Sequence, residues 1–306
     1  MKHNGGSRRA FLGAAAALAA GTALPAIFVR ALSRPDNPGG EENDDEICRT
    51  ILARARARNL AALPMGELVA QIGSTLTDRP YRAGTLEEPG DEHLVVNLRE
   101  FDCVTFVESS FALARTVKAG DTDAAGFKKQ LQLLRYRGGV INGYPSRLHY
   151  FTDWIFDNAA RKNVTDITMK TGGVIDPRPI NFMTGHRDSY PPLAREEVFR
   201  TIARTETVLT SRARYVLPRA KVASALPFLR SGDIVGVMTS TEGLDCSHTG
   251  LVAVNDGVTR FLHAPLSGGH VQFSRGSLAE YIQEHASRTG IVVARPLAPA
   301  AGSPEH

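Results

Sequence analysis

Cysteine is scarce in this chain: 306 residues hold three, Cys48, Cys103 and Cys246. They form no Cys-x-x-Cys pair and no His-Glu-x-x-His occurs, so the common zinc signatures are missing. Cys246 and His248, two residues apart, could share a face but would still need a third ligand. No Gly-x-Ser-x-Gly is present, and Ser109-Ser110 falls inside a helical stretch, which removes the usual serine-hydrolase elbow. The net charge is only +4 with no dense Lys/Arg block, which argues against nucleic-acid binding. There is no internal repeat. What remains is an ordinary globular composition, 42% hydrophobic and 22% charged, at a length that suits one large domain or two small ones.

The N-terminus departs from that ordinary composition. Ser7-Arg8-Arg9-Ala10-Phe11-Leu12 carries twin arginines before an apolar pair, and an Ala-rich, weakly apolar run follows to Phe28. Positive start, apolar middle and small residues predict a twin-arginine export signal over residues 1–31. The run is broken by Gly21 and Pro25 and is short for a membrane span. Either Ala17-Leu18-Ala19 or Val29-Arg30-Ala31 could be the cleavage site. Residues 32–46, with Pro35, Pro38 and the acids from Glu41 to Glu46, read as a solvated linker. The expected partner of the leader is the twin-arginine export machinery, and the expected location is periplasmic or secreted. In a disulfide-permissive compartment, three cysteines leave one thiol free while two pair, or leave all three unpaired.

The body reads as one α+β domain over residues 47–298, with a tail at 299–306. Residues 47–61 and 65–72 have helical periodicity, residues 75–90 read as loop, and residues 94–98 as a short strand or extended lead-in. Residues 127–135 and 196–211 read as helices. Residues 164–168 and 234–238 read as strands. After the helix at 127–135, residues 136–154 form a glycine-punctuated run rich in Arg and aromatic side chains, including the single Trp154. Such a run suits a loop over a binding cleft, or one whose rings simply pack on the core.

Two features carry chemistry. At Phe101-Asp102-Cys103-Val104-Thr105-Phe106-Val107-Glu108, Asp102 is a good N-cap and Val104, Val107, Phe111 and Ala114 mark one helix face, which ends near Gly120. Cys103 then stands at a helix start, where unpaired N–H groups and the helix dipole favour a thiolate. Further on, Ser247 to Val254 and Val258 to Ala264 have strand character around Asp256-Gly257, a strong hairpin signal. If those two residues form the turn, Asn255 pairs with Val258 and His263 faces Gly250. If Asn255-Asp256 forms it, His248 and His263 are directly opposite. In both registers the two histidines share a sheet face, unless a longer loop or a bulge intervenes. A nucleophile with a base oriented by a third group is the logic of a triad: Cys103, His248 and His263.

Residues 101–108, 135–137, 147–154, 243–250 and 262–264, with Pro80-Tyr81 and Gly84-Thr85-Leu86-Glu87, resemble the DUF1460 family. That family is a branch of the NlpC/P60 papain-like cysteine hydrolases, and the likeness runs from about Ile51 to about Arg295. The resemblance implies a papain-like fold, with a nucleophile helix packed on an antiparallel sheet. It implies an N-acetylmuramoyl-L-alanine amidase acting on small muropeptides with a 1,6-anhydro sugar, cutting between the lactyl group and L-Ala, with no metal or organic cofactor. Tyr81, Arg147, His149, Tyr150 and Trp154 would line the substrate cleft. Cys246 stands where an apolar residue is expected in relatives, which gives it a structural role. The alternatives are an NlpC/P60 endopeptidase cutting the γ-D-Glu–diamino-acid bond, and a non-catalytic peptidoglycan-binding module on the same fold.

Overall fold

The computed structural model describes residues 43–300. The expected export signal, residues 32–42 of the expected linker and residues 301–306 lie outside the described residues. Helix α1 (Asp44–Ala57) starts three residues before its apolar periodicity does. Asn43 caps it, its side chain accepting the N–H of Asp45 at 3.0 Å, and Asp44, Asp45 and Glu46 fill the first turn. The end of the acidic run is thus helix and not linker, because carboxylates beside the unpaired N–H groups of a helix start are stabilising.

Helices α2 (Met65–Ser74), α3 (Cys103–Ala119), α4 (Ala124–Arg135) and α5 (Phe151–Ala160) join α1 in one layer. Their apolar faces meet one face of an antiparallel sheet. Its strands are β1 (Val164–Asp166), β2 (Val174–Ile175), β3 (Tyr215–Pro218), β4 (Ile234–Thr239), β5 (Cys246–Asn255), β6 (Val258–His263), β7 (Gln272–Ser277) and β8 (Arg288–Pro296). The order is β2-β3-β8-β4-β5-β6-β7, with β1 also paired to β8. Alternation along β5 sorts its side chains: Leu251 and Ala253 join the core under the helical layer, while Val252 joins a second core on the other face. That second core is closed by α8 (Val222–Ala225) and α9 (Leu278–Gln283). A third cluster gathers Tyr144 and Tyr150 with α6 (Phe182–Gly185) and α7 (Glu196–Ser211). No helix of the described residues is long and apolar enough to cross a membrane.

Helix α3 is the centre of this arrangement. It is buried along nearly its whole length, polar residues included. Its internal charges are therefore hydrogen-bonded: Glu108 accepts from Arg135 at 2.6 Å, and Arg115 donates to the Gln130 side-chain oxygen at 2.8 Å. Its start is fixed by a capping box, in which Asp102 accepts the Thr105 N–H at 2.7 Å and the Thr105 hydroxyl accepts the Asp102 N–H at 2.9 Å. Its end is fixed by Gly120 at φ 81, the left-handed stop that suits glycine.

Candidate active site

The hairpin brings the two histidines together. Asp256 and Gly257 adopt φ 51 and 74, the paired left-handed conformation of a two-residue turn. Asn255 pairs with Val258 and Gly250 with His263, the first of the two registers expected. A bulge does occur, where Val237 pairs with His248 but Met238 with Cys246, yet it lies before His248 and leaves the hairpin untouched. Nε2 of His248 lies 2.8 Å from Nδ1 of His263, with the rings 5.0 Å apart.

Strand β6 stops at His263, opposite Gly250, while β5 continues back to Cys246. The Thr249 N–H lies past that end and is hydrogen-bonded to the Cys103 sulfur. The cap of α3 and the splayed end of β5 thus place the thiol and His248 on the wall of one cavity of about 160 Å³. Around His263 close the rings of Phe261, at 4.8 Å, and Tyr281, at 4.9 Å, and the Arg288 guanidinium lies 3.7 Å over Tyr281. Sequence reasoning misses these neighbours. Tyr281 and Arg288 come from α9 and β8, and only the long-range packing of those elements brings them to the histidines.

Burial governs the charges. It pushes the Cys103 thiol up to about 12, helped by the Asp102 carboxylate, against the N–H groups of Thr249, Cys103 and Val104, which pull it down. The helix start acts on the thiol as expected, but desolvation outweighs it, so the resting sulfur carries its proton. His248 is lowered to about 3, by burial first and then by Arg288. His263 is also lowered, by burial, then by His248 and Arg288. The resting trio is neutral.

The other cleft residues separate into three groups. Arg147, His149 and Tyr150 line the same cavity as Cys103. Tyr150 is pinned, its hydroxyl donating to Glu206 at 2.6 Å and accepting from the Met183 N–H at 2.9 Å. Tyr81 is not among the residues that line the cavity; it is bridged to Phe101, and its buried hydroxyl finds no partner. Trp154 does not line the cleft. It is fully buried on α5, stacked on Phe151 at 5.4 Å. The reason is local: Phe151, Trp154, Ile155 and Asn158 recur at helical spacing, so the loop ends at Tyr150 and a core-facing helix begins. Asp245 fastens that helix to the site by accepting both the N–H and the hydroxyl of Thr152 at 2.7 Å.

All three cysteines are free thiols, Cys48 within α1 and Cys246 with its sulfur 3.6 Å from that of Met238. Among the described residues, no three His, Cys, Asp or Glu side chains gather as a metal site.

Comparison with known proteins gives the family and the fold. The family model described as N-acetylmuramoyl-L-alanine amidase-like, or AmiA-like, matches residues 71–291. Among solved structures, the chain is similar to an N-acetylmuramoyl-L-alanine amidase from Bacteroides uniformis ATCC 8492, at 34% identity and a TM-score of 0.72, covering 76% of this chain and 98% of that one. It is similar to a Bacteroides fragilis protein provisionally described as a xylanase, at 34% identity and a TM-score of 0.70, covering 74% and 99%. Protein LPG0564 from Legionella pneumophila str. Philadelphia 1, assigned to DUF1460, shares the fold at 19% identity and a TM-score of 0.64, covering 84% and 97%. No curated protein matches the chain.

Proposed function

The chain belongs to the N-acetylmuramoyl-L-alanine amidase-like family, and from that premise we propose that it hydrolyses the amide between the lactyl group of an N-acetylmuramic sugar and L-Ala, through an acyl-enzyme on Cys103. Its natural substrate is a small muropeptide with a 1,6-anhydro sugar, and it meets that substrate outside the cytoplasm, delivered by its twin-arginine leader. The fold belongs with the papain-like NlpC/P60 hydrolases: a helix with a cysteine at its start, packed on an antiparallel sheet that carries two histidines.

One observation carries the reading: the Cys103 thiol and His248 line a single cavity, and the His248 ring is bonded behind it to His263. With Nε2 of His248 bonded to Nδ1 of His263, Nδ1 of His248 is the nitrogen left to exchange a proton with sulfur. The tautomer that does this carries its proton on Nε2 and donates it to His263. As the sulfur attacks the lactyl carbonyl, its proton passes to Nδ1 of His248 and the carbonyl becomes an oxyanion. The Cys103 N–H faces that oxyanion. We assign the second donor to Tyr81, because its buried hydroxyl is unpartnered and its pKa is raised by burial first and then by the neighbouring Cys103 and Asp102. Collapse breaks the C–N bond, and His248 returns the proton to the departing L-Ala amine. Water then attacks the thioester while His248 takes one of its protons. The products are a free lactyl carboxylate and the Cys103 thiol.

Glycoside hydrolysis fits the cavity less well. It requires two carboxyl groups free to act across a sugar bond. The carboxylates at this cavity are engaged: Asp102 in the α3 cap, Glu108 with Arg135, and Glu87 with Arg147 at 2.8 Å. The test is turnover of a muramoyl-L-alanyl peptide beside xylan, by the wild type and by Cys103→Ala. Turnover of the peptide alone, lost in the variant by about 10³-fold or more, is expected. Full activity in Cys103→Ala would remove the nucleophile from the account.

A further inference from the structure

Arg147 is more tightly held than a surface cation would be. Its side chain is 6% exposed, and its guanidinium stacks 4.9 Å from the Tyr144 ring. It meets two carboxylates of different character. Glu92 is itself buried, lies 3.5 Å from Nε, and also accepts from the Tyr136 hydroxyl at 2.8 Å. Glu87 is one-third exposed on the irregular segment between α2 and α3, and accepts from Nη2 at 2.8 Å. Nη1 donates to the Leu86 carbonyl, one residue away, at 2.9 Å. The outer fork of the guanidinium is thus occupied wholly by residues 86 and 87, while Glu92 holds it from behind.

This fork stands in a shared wall. Leu86, Glu87, Tyr144 and Arg147 line the Cys103 cavity on one side and a smaller outer pocket on the other. The Tyr144 side chain adds a hydroxyl that is buried and has no hydrogen-bond partner. A buried unpaired hydroxyl is costly and is satisfied when an acceptor arrives. A planar fork of N–H donors beside a free O–H matches a carboxylate, which takes a bidentate guanidinium and still has lone pairs to spare.

We propose that Arg147 and the Tyr144 hydroxyl form a subsite for a substrate carboxylate, and that Glu87 fills the Arg147 fork in the empty enzyme until that carboxylate displaces it. The proposal rests on the amidase reading for the identity of the ligand. In a muramoyl peptide, the first free carboxylate beyond the scissile amide is that of D-Glu, on the residue after L-Ala. Substrates whose D-Glu carboxylate has been amidated would then be discriminated against, because an amide cannot accept from both arms of the fork and places its own N–H against donors. Glu87 also sets a threshold: the affinity seen is that of the open fork reduced by the fraction of molecules in which Glu87 has left it.

The experiment measures equilibrium binding to the Cys103→Ala variant, so that no result depends on cleavage. The ligands are N-acetylmuramoyl-L-Ala-γ-D-Glu-L-Lys and its D-isoglutaminyl counterpart, in which the γ-carboxyl is taken up by the peptide bond and only the α-carboxylate is replaced by an amide. The acid is expected to bind about tenfold more tightly, since rejection follows from an unmatched polar group at a site built for a charged acceptor. Adding Tyr144→Phe removes a hydroxyl that holds nothing in the protein, so folding is preserved, and the preference for the acid is expected to shrink several-fold. Adding Glu87→Gln is expected to tighten the acid several-fold and to leave the isoglutamine ligand nearly unchanged. Equal binding of acid and amide, or a preference unmoved by Tyr144→Phe, overturns the subsite. Binding of neither ligand overturns it as well. Turnover of both ligands by the wild type, with no discrimination in binding, would leave the amidase reading standing without the subsite.

Discussion

At the scale of single residues, the site is a neutral trio and not an ion pair. His263 contributes a ring nitrogen as the third group, where a carboxylate would give a fixed negative charge. In the proposed mechanism its task is to orient His248 and accept from Nε2, so an amide oxygen should partly replace it. His263→Asn is expected to keep activity within about tenfold of wild type, whereas His263→Ala should lose about 10²-fold or more. Steady-state kinetics on a muramoyl-L-alanyl peptide separate the two. Burial also makes the protein acid-sensitive. His248 and His149 are held at about 3, and His263 well below its ordinary 6.5, in each case by burial first. Folded, they stay neutral, while the unfolded chain binds a proton at each below about pH 6.5. The unfolded state therefore binds more protons between about pH 6.5 and 3, and stability, fully present above that window, falls as the pH drops through it. The slope is roughly 1.4 kcal/mol per pH unit for each histidine. A Tm measured from pH 7.5 to 4.5 should decline, and His149→Gln should flatten the decline by about a third. A constant Tm over that range would mean that the histidines are not buried as described.

At the scale of elements, α3 and the β5–β6 hairpin carry the site, and their legibility in the sequence differs. The start of α3 could be read because capping is local: Asp102 and Thr105 satisfy each other within four residues. The hairpin could be read because Asp256-Gly257 fixes its own register, and register fixes the face. The seat of Trp154 was open to the same local reading, since Phe151, Trp154 and Ile155 carry helical spacing, but the Gly-rich run before them pointed to loop. The closure of Tyr281 and Arg288 around the histidines was not legible. It depends on pairing β8 with β4 and packing α9 on β6 and β7, contacts whose partners lie far apart in sequence. The cap offers an element-scale test. Asp102→Asn should leave stability within about 0.5 kcal/mol, because Asn caps as well as Asp, while Asp102→Ala should lose about 1 kcal/mol. Denaturant unfolding checks both, and equal losses would contradict the capping role. Activity should follow the same order, since the cap aims the Cys103 sulfur.

At the scale of the whole molecule, one antiparallel sheet separates two cores, and the cavity opens where β5 outruns β6. The expected α+β class with an antiparallel sheet is the architecture present, with its helices split between the two faces. The proposed leader lies outside the described residues. Replacing both Arg8 and Arg9 with Lys should hold the protein in the cytoplasm in a fractionation assay, and unaltered export would rule out the twin-arginine route. The central claim concerns which bond the Cys103 cavity breaks, and the most direct measurement is the mass of each product from a defined anhydromuropeptide. The account predicts an anhydro-sugar ending in a free lactyl carboxylate, together with a peptide that begins at L-Ala. A cut between D-Glu and the diamino acid, leaving L-Ala-D-Glu on the sugar, would contradict it.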